Sequence, residues 1–237
     1  MTRQGNAGPP QVALYPPDGA GRPGPALGGS DAPQATRVLL VRHGETDWNT
    51  QTRLQGHTDI ALNARGRAQA QRLRDALAGE TLDAVYSSDL QRALDTARAI
   101  ADATGAPLRA EPALRERRFG CFEGLTYEDI LARWPDQAQR WRQRDPAFGP
   151  DGGETLQEFH ARCVQAAERL AVQHAGGSIA LVAHGGVLDS LYRAATRVAL
   201  DAPRSWRMAN AAMNRLLHGS SGFTLVGWDD DTHLQGL

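Results

Sequence analysis

The chain has 237 residues, of which 41% are hydrophobic, and its 26 basic and 27 acidic residues give a formal net charge of −1. This balance argues against a broad polyanion-binding surface, so we expect no nucleic-acid partner. No run approaches the roughly 18 apolar residues of a membrane span, and the N-terminal residues lack the apolar core of a secretory signal. The two cysteines, Cys121 and Cys163, have no CxxC spacing. We therefore expect reduced thiols and a cytoplasmic protein without membrane contact.

Residues 1–35 differ in composition from the rest of the chain. Seven glycines and seven prolines fall within the first 33 positions, and these positions show no apolar periodicity. Such a segment cannot bury enough apolar surface to offset the entropy lost on ordering, so we predict a disordered tail over residues 1–35. The remaining residues, 36–237, are predicted to form one domain, which is long enough for a sizeable core.

Two unbroken apolar runs each end in His-Gly, at residues 37–44 and 178–186. Runs of this length are typical of strands that are buried on both faces of a parallel sheet. Ligands of open α/β sheets bind at the carboxyl ends of such strands, so His43 and His184 are predicted to share one site. The glycine that follows each histidine would let a ligand approach the backbone.

From Thr36 onward, the pattern repeats strand, loop and helix. We predict helices over residues 65–78, 89–104, 125–134, 137–143, 155–174 and 187–198, and further strands over 82–88, 107–112, 213–217 and 224–228. Asp89 is a suitable N-cap for the second helix. Right-handed crossovers between parallel strands place helices on both faces of a sheet. The predicted fold is therefore of the α/β class, a three-layer α/β/α sandwich with a mostly parallel central sheet and a helical lid inserted between Phe119 and Pro150.

The residues at the predicted strand ends suit phosphate chemistry. Arg42 precedes His43, and a guanidinium offers a planar pair of donors to phosphate oxygens. A neutral imidazole is a competent phosphoryl acceptor near pH 7. Arg92 is predicted in the first turn of a helix that begins at the same sheet edge, where the helix dipole also favours an anion. Together these features predict an anion site.

Six motifs, taken in order, resemble those of the histidine phosphatase superfamily, also called the phosphoglycerate-mutase-like family. The resemblance extends from about Val38 to Leu234. The motifs are RHGETDWN at 42–49, LQGHTDIALNARGRAQA at 54–70, SSDLQRALDTA at 87–97, LRERRFGCFEGLT at 114–126, GGETLQEFHARC at 152–163 and VAHGGVL at 182–188.

The resemblance implies roles for individual residues. His43 would be the nucleophile that becomes a phosphohistidine, and Glu116 would be the general acid and base. Arg42, Arg92 and His184 would be further catalytic residues that surround the phosphoryl group. The phosphate-binding residues that it implies are Arg42, Asn49, Gln55, Gly56, Arg92 and Gly185. His184 would contribute most as an imidazolium, whereas His43 must be neutral to attack. No other cluster of His, Asp or Glu suggests a metal site, so we expect neither a metal nor another cofactor.

The superfamily contains hydrolases and mutases, and the motifs favour a hydrolase. The mutase branch has a Phe-Thr-Gly-Trp stretch where this chain has residues 53–57, and it is basic where residues 122–129 are acidic. The expected function is hydrolysis of a small phosphorylated metabolite, a phosphomonoester. A phosphoglycerate mutase is the alternative, and a non-catalytic phospho-ligand-binding module is a more distant one. The physiological substrate stays open, as does the choice between a monomer and the homodimer common among relatives.

Overall fold

The computed structural model describes residues 34–237. Within this range, six strands form one sheet: β1 (Thr36–Arg42), β2 (Ala84–Ser87), β3 (Leu108–Ala110), β4 (Ser178–Ala183), β5 (Met213–Gly219) and β6 (Gly222–Asp230). The α-helices in the same range are α1 (Asp47–Thr50), α2 (Ala64–Ala76), α3 (Gln91–Thr104), α4 (Tyr127–Arg133), α5 (Pro135–Arg142), α6 (Leu156–Gln173) and α7 (Gly185–Thr196). None of these helices is long and apolar enough to cross a membrane.

The sheet is mostly parallel, as predicted. Its strand order is β3-β2-β4-β1-β5-β6, and the first four strands run parallel. β5 and β6 close one side as an antiparallel hairpin. Because β1 and β4 pair in register, Arg42 lies opposite Ala183 and both His-Gly pairs leave the sheet at the same edge.

Helices cover both faces of the sheet, which confirms the three-layer architecture. Alternate residues of β1 enter two different cores: Val38 and Leu40 pack with residues of α6 and α7, whereas Leu39 and Val41 pack with residues of α2 and α3. This alternation follows from the pleat of a strand, which directs successive side chains to opposite faces.

The predicted lid is a helical insertion with a small core of its own. α4 and α5 enclose Phe122, Ile130, Ala138 and Phe148, which are all buried. The Trp141 ring stacks on Phe122, with 5.2 Å between centroids and 7° between planes. A separate core of this kind gives the lid a fixed form above the sheet edge.

One predicted detail is wrong, and one lies beyond the described residues. α3 begins at Gln91 with Leu90 as its N-cap, because the Asp89 carboxylate instead accepts two hydrogen bonds from Arg115, at 2.6 and 2.5 Å. At the start of α3, the Asp59 carboxylate instead accepts a hydrogen bond from the Gln91 N–H at 2.8 Å. The predicted tail falls almost entirely on residues 1–33, outside the described range, so its disorder and the boundary at residue 36 stay predictions.

Candidate active site

His43 follows the last residue of β1 and is 3% exposed. Its ring Nδ1 donates a hydrogen bond to the Gly44 carbonyl at 2.7 Å. The neutral ring therefore carries its proton on Nδ1 and its free electron pair on Nε2. His43 is one of the residues that line the pocket, where this electron pair is available to a ligand. The backbone also fixes the position of the ring, because the His43 N–H donates to the Ala183 carbonyl of the neighbouring strand at 2.9 Å.

His184 lies beside His43 at the end of β4, and 5.1 Å separates the two ring centroids. Its Nδ1 accepts a hydrogen bond from Nε of Arg92 at 3.3 Å, and its Nε2–H donates to Ser88 Oγ at 2.8 Å. Burial, followed by the charge of Arg92, lowers the pKa of both histidines well below 6.5. The free site therefore holds two neutral imidazoles, whereas an imidazolium at His184 was expected to contribute most.

Hydrogen bonds to backbone carbonyls fix the two arginines that are predicted to bind phosphate. Arg92 is fully buried and donates to the carbonyls of Thr58 at 3.0 Å and Gly56 at 2.8 Å. Arg42 donates from Nη1 to the Met208 carbonyl at 2.6 Å, and its buried Nε has no partner within residues 34–237. Burial lowers the pKa of Arg92 to about 10, so both guanidinium groups stay charged near neutral pH.

Glu116 is brought to the same place by a loop that follows a short 3₁₀ turn, Pro112–Leu114. Its carboxylate accepts the N–H of Arg117 at 2.8 Å and the N–H of Gly186, in the first turn of α7, at 3.0 Å. A Cβ on Gly186 would overlap the Glu116 carboxylate and approach Phe159 to 2.9 Å. Only glycine at position 186 lets the carboxylate come this close to the helix N-terminus.

A cavity of about 890 Å³ opens at this edge of the sheet. The predicted site residues that line it are His43, Glu116, Arg42, Arg92, Asn49, Gln55 and Gly185. His184 lies behind His43 and is fully buried. Gly56 is also outside the lining, and at φ +54° its backbone supports Arg92 through the carbonyl. The structure thus brings all of the predicted residues together, with His184 and Gly56 one layer further back.

Asn49 has two structural partners besides its place in the cavity wall. Its Oδ1 accepts from the backbone N–H and the hydroxyl of Thr46, both at 3.0 Å, and from Asn210 Nδ2 at 3.3 Å. The bond from the Thr46 N–H and the reciprocal bond from the Asn49 N–H to the Thr46 hydroxyl, at 3.2 Å, form a capping box at the start of α1. The amide oxygen is therefore occupied, and the amide NH₂ remains for a ligand oxygen.

Four residues that support the site did not stand out in the sequence. Gly186 orders Glu116, as described above. Asn210 donates to the His43 carbonyl at 2.9 Å, and Glu123 accepts the backbone N–H groups of His57 and Thr58, each at 3.0 Å.

Arg162 donates to the carbonyls of Ala113 and Arg115 and to the carboxylate of Glu154. Of these four residues, only the second glycine of His-Gly-Gly carried a local signal.

The arrangement combines a neutral imidazole, two fixed cations and a carboxylate. Transfer of a phosphoryl group has a loose transition state, so positioning and neutralisation of its oxygens supply most of the catalysis. Arg42 and Arg92 can neutralise those oxygens without a metal ion. Within residues 34–237, no three or more His, Cys, Asp or Glu side chains are grouped so as to hold a metal.

Comparisons with known proteins agree with this chemistry. A family model described as the histidine phosphatase superfamily, branch 1, matches residues 38–231. The chain is 38% identical over 203 residues to phosphoglycerate mutase-like protein 4 of Arabidopsis thaliana, covering 84% of this chain and 86% of the relative. It is 35% identical over 208 residues to the metal-independent phosphoserine phosphatase of the same plant, covering 86% and 85%. Among solved structures, a mycobacterial glucosyl-3-phosphoglycerate phosphatase in complex with VO₃ matches with a TM-score of 0.74 and 32% identity, covering 82% of this chain and 99% of that one.

Proposed function

The chain belongs to the histidine phosphatase superfamily, and we propose that it hydrolyses a small phosphomonoester through a phosphohistidine at His43. One observation carries the proposal most directly. The Nδ1–H of His43 is held by the Gly44 carbonyl, which leaves Nε2 unprotonated, and His43 lines a cavity that Arg42 and Arg92 also line. A neutral, buried nucleophile between two cations is suited to a phosphate dianion.

In the first step, the electron pair of His43 Nε2 forms a bond to phosphorus while the bond from phosphorus to the leaving oxygen breaks. Protonated Glu116 gives its proton to that oxygen, and the alcohol departs. In the second step, Glu116 takes a proton from water as the water oxygen attacks phosphorus. The P–N bond breaks, which releases inorganic phosphate and returns neutral His43. Proton transfer of this kind contributes roughly 10²–10⁴-fold to the rate.

The arginines and His184 have separate tasks in this scheme. The buried Nε of Arg42 has no partner in the described part of the chain, and a phosphoryl oxygen would satisfy it. Arg92 neutralises charge and also donates to His184. His184 lies one layer behind His43 and is neutral, and both of its ring nitrogens are occupied, Nδ1 by Arg92 and Nε2 by Ser88. It therefore positions the Arg92 guanidinium rather than carrying a charge of its own.

Phosphoglycerate mutase activity is the second candidate function, and the name of one Arabidopsis relative favours it. A mutase passes the phosphoryl group to another hydroxyl of the substrate, whereas a phosphatase passes it to water. Two relatives are named as phosphatases, which supports the hydrolase. A module that only binds phosphorylated ligands would need neither the nucleophile nor the carboxylate that meet in this cavity.

Reactions with a ³²P-labelled phosphomonoester, quenched with alkaline detergent to preserve a P–N bond, test the proposal. We expect an acid-labile, base-stable label on the wild type and no label on His43→Ala, which should retain its circular dichroism spectrum. Release of inorganic phosphate is scored alongside interconversion of 3- and 2-phosphoglycerate in the same samples. Normal turnover by the folded His43→Ala variant would refute the covalent mechanism, and isomerisation without phosphate release would establish the mutase.

We also propose a cytoplasmic location, with no nucleic-acid or membrane partner. Its support is that Cys121, which is exposed, and buried Cys163 are free thiols, as is usual in a reducing compartment. Cell fractionation tests the location.

The homodimer is tested by light scattering of the purified full chain, where a mass near twice 25.6 kDa would establish it.

A further inference from the structure

The cavity concentrates positive charge in a chain whose net charge is −1. Eight arginines line it, against only two carboxylates, those of Glu116 and Asp189. One phosphoryl group carries at most two negative charges and is served by Arg42 and Arg92. Six lining arginines therefore remain, which is more cationic charge than the reacting group requires.

Four of the six have protein partners that account for them. Arg117 donates to the carbonyls of Glu154 and Phe148, and Arg53 donates to that of Gly124. Arg144 forms an ion pair with Asp189 at 2.6 Å. Arg207 pairs with Asp229 and Asp231 at 3.3 and 3.0 Å.

The other two are Arg142 and Arg204, which are exposed and whose guanidinium groups have neither a hydrogen bond nor an ion pair within residues 34–237. Arg142 is the last residue of α5 in the lid, and Arg204 lies in the loop between α7 and β5, so they approach the cavity from two different walls. The charge of Arg204 also lowers the pKa of Arg42, although burial and the opposing charge of Glu116 have larger effects. Arg204 is therefore near enough to the phosphoryl end of the cavity for its charge to be felt there.

Both walls are built to hold their positions. In the lid, Trp141 stacks on Phe122 directly before Arg142. Fully buried Arg193 donates to the carbonyls of Ala199 and Ala202, so it anchors the loop from one side of Arg204. Beyond Arg204, the Met208 carbonyl of the same loop accepts from Arg42 at 2.6 Å. The backbone on either side of the cavity is therefore fixed, and it carries two guanidinium groups that have no partner among residues 34–237 and are available to an anion.

We propose that Arg142 and Arg204 form a second anion site, and that the substrate is a phosphomonoester whose leaving group carries a further carboxylate or phosphate. This inference rests on the proposed function, since it assigns the leaving-group end of the same cavity. A carboxylate and a phosphate share the geometry that a guanidinium binds through paired N–H donors. Neutral sugar or alcohol phosphates would leave both arginines without a counter-charge.

Competition against hydrolysis of p-nitrophenyl phosphate measures this site directly. The matched pair is 3-phosphoglycerate and glycerol 3-phosphate, which differ by a carboxylate in place of a hydroxymethyl group. Fructose 1,6-bisphosphate and fructose 6-phosphate form the corresponding pair for a second phosphate. We expect the doubly anionic member of at least one pair to have an inhibition constant lower by about tenfold, the value of one hydrogen bond to a charged group. The pair that shows the difference identifies the anion.

The double variant Arg142→Gln, Arg204→Gln should bring that ratio to within about twofold of unity, because guanidinium contacts to the second anion are lost. Arg98→Gln is the control, since it removes one positive charge from the exposed face of α3 and should keep the wild-type ratio. A wild-type ratio near unity for both pairs, or an unchanged ratio in the double variant, would overturn the second anion site. Failure of the proposed function is seen separately, as absence of p-nitrophenyl phosphate hydrolysis by the wild type.

Discussion

The Glu116 carboxylate accepts the backbone N–H of Gly186 at 3.0 Å, which joins the proposed general acid to the helix that follows His184. His184 in turn lies against His43, with 5.1 Å between ring centroids. The carboxylate and the nucleophile are therefore positioned through the same strand-to-helix turn. A change in this turn should affect proton transfer before it affects the fold.

Gly186→Ala tests this link, because the new Cβ would occupy the space of the Glu116 carboxylate. We expect kcat/KM for an alkyl phosphate to fall by about 10²-fold, the lower end of what general acid catalysis contributes. An ester with a good leaving group, p-nitrophenyl phosphate, should lose much less because its leaving oxygen needs little protonation. Gly219→Ala serves as control, since nothing lies within 4 Å of its added Cβ. Equal losses on both esters would show that Gly186 does not act through proton transfer by Glu116.

Arg162 is a positioning residue for the Glu116 loop, and its removal should have a similar signature. It donates to the carbonyls of Ala113 and Arg115 at 2.8 and 3.1 Å and to both carboxylate oxygens of Glu154. We expect Arg162→Ala to make the rate depend more steeply on the pKa of the leaving group, with kcat reduced by about tenfold for alkyl esters. Arg162→Lys should restore part of the loss. A uniform loss for all leaving groups would reduce Arg162 to a purely structural role.

Much of this site could be predicted from local patterns. The two apolar runs required parallel strands, and parallel strands that pair in register end at one edge, so His43 and His184 had to meet. Arg92 in a first turn pointed to the same edge. These inferences needed only the periodicity of strands and helices and the direction of the chain.

The supporting contacts could not be predicted, because they depend on tertiary distances. Asp89 reads as an N-cap, yet Arg115, which is distant in sequence, competes for its carboxylate and wins with two charge-assisted hydrogen bonds. The neutral state of His184 depends on burial and then on the guanidinium of Arg92, which is 92 residues away in the chain. The spacing of residues in the sequence does not reveal which distant side chains come into contact in the fold.

Chelation should leave the activity unchanged. The proposed site neutralises the phosphoryl oxygens with Arg42 and Arg92, which keep their charge near neutral pH although burial lowers the pKa of Arg92 to about 10. We expect the same kcat and KM for p-nitrophenyl phosphate before and after dialysis against EDTA. Addition of Mg²⁺ or Zn²⁺ to the dialysed protein should give no increase. A loss on dialysis that a divalent cation restores would contradict the arginine-based mechanism.

The buried histidine pair should make the fold sensitive to mild acid. The pKa values of His43 and His184 are lowered well below 6.5 by burial and then by Arg92, so both rings stay neutral in the folded chain while an unfolded chain protonates them near pH 6.5. Below that pH the unfolded state binds more protons, so the free energy of unfolding is greatest above pH 6.5 and falls as the pH decreases.

Urea unfolding at pH 7, 6 and 5 measures this loss, and His43→Asn should reduce the slope between pH 6 and 5 by about 1 kcal/mol per pH unit. Thr96→Val is the matched control: it removes the hydroxyl that accepts the Gly44 N–H at 3.0 Å but no titratable group. Its stability should be lower at every pH with the wild-type slope. If His43→Asn also kept the wild-type slope, His43 would have to be protonated in the folded protein, and a neutral nucleophile at that pH would be ruled out.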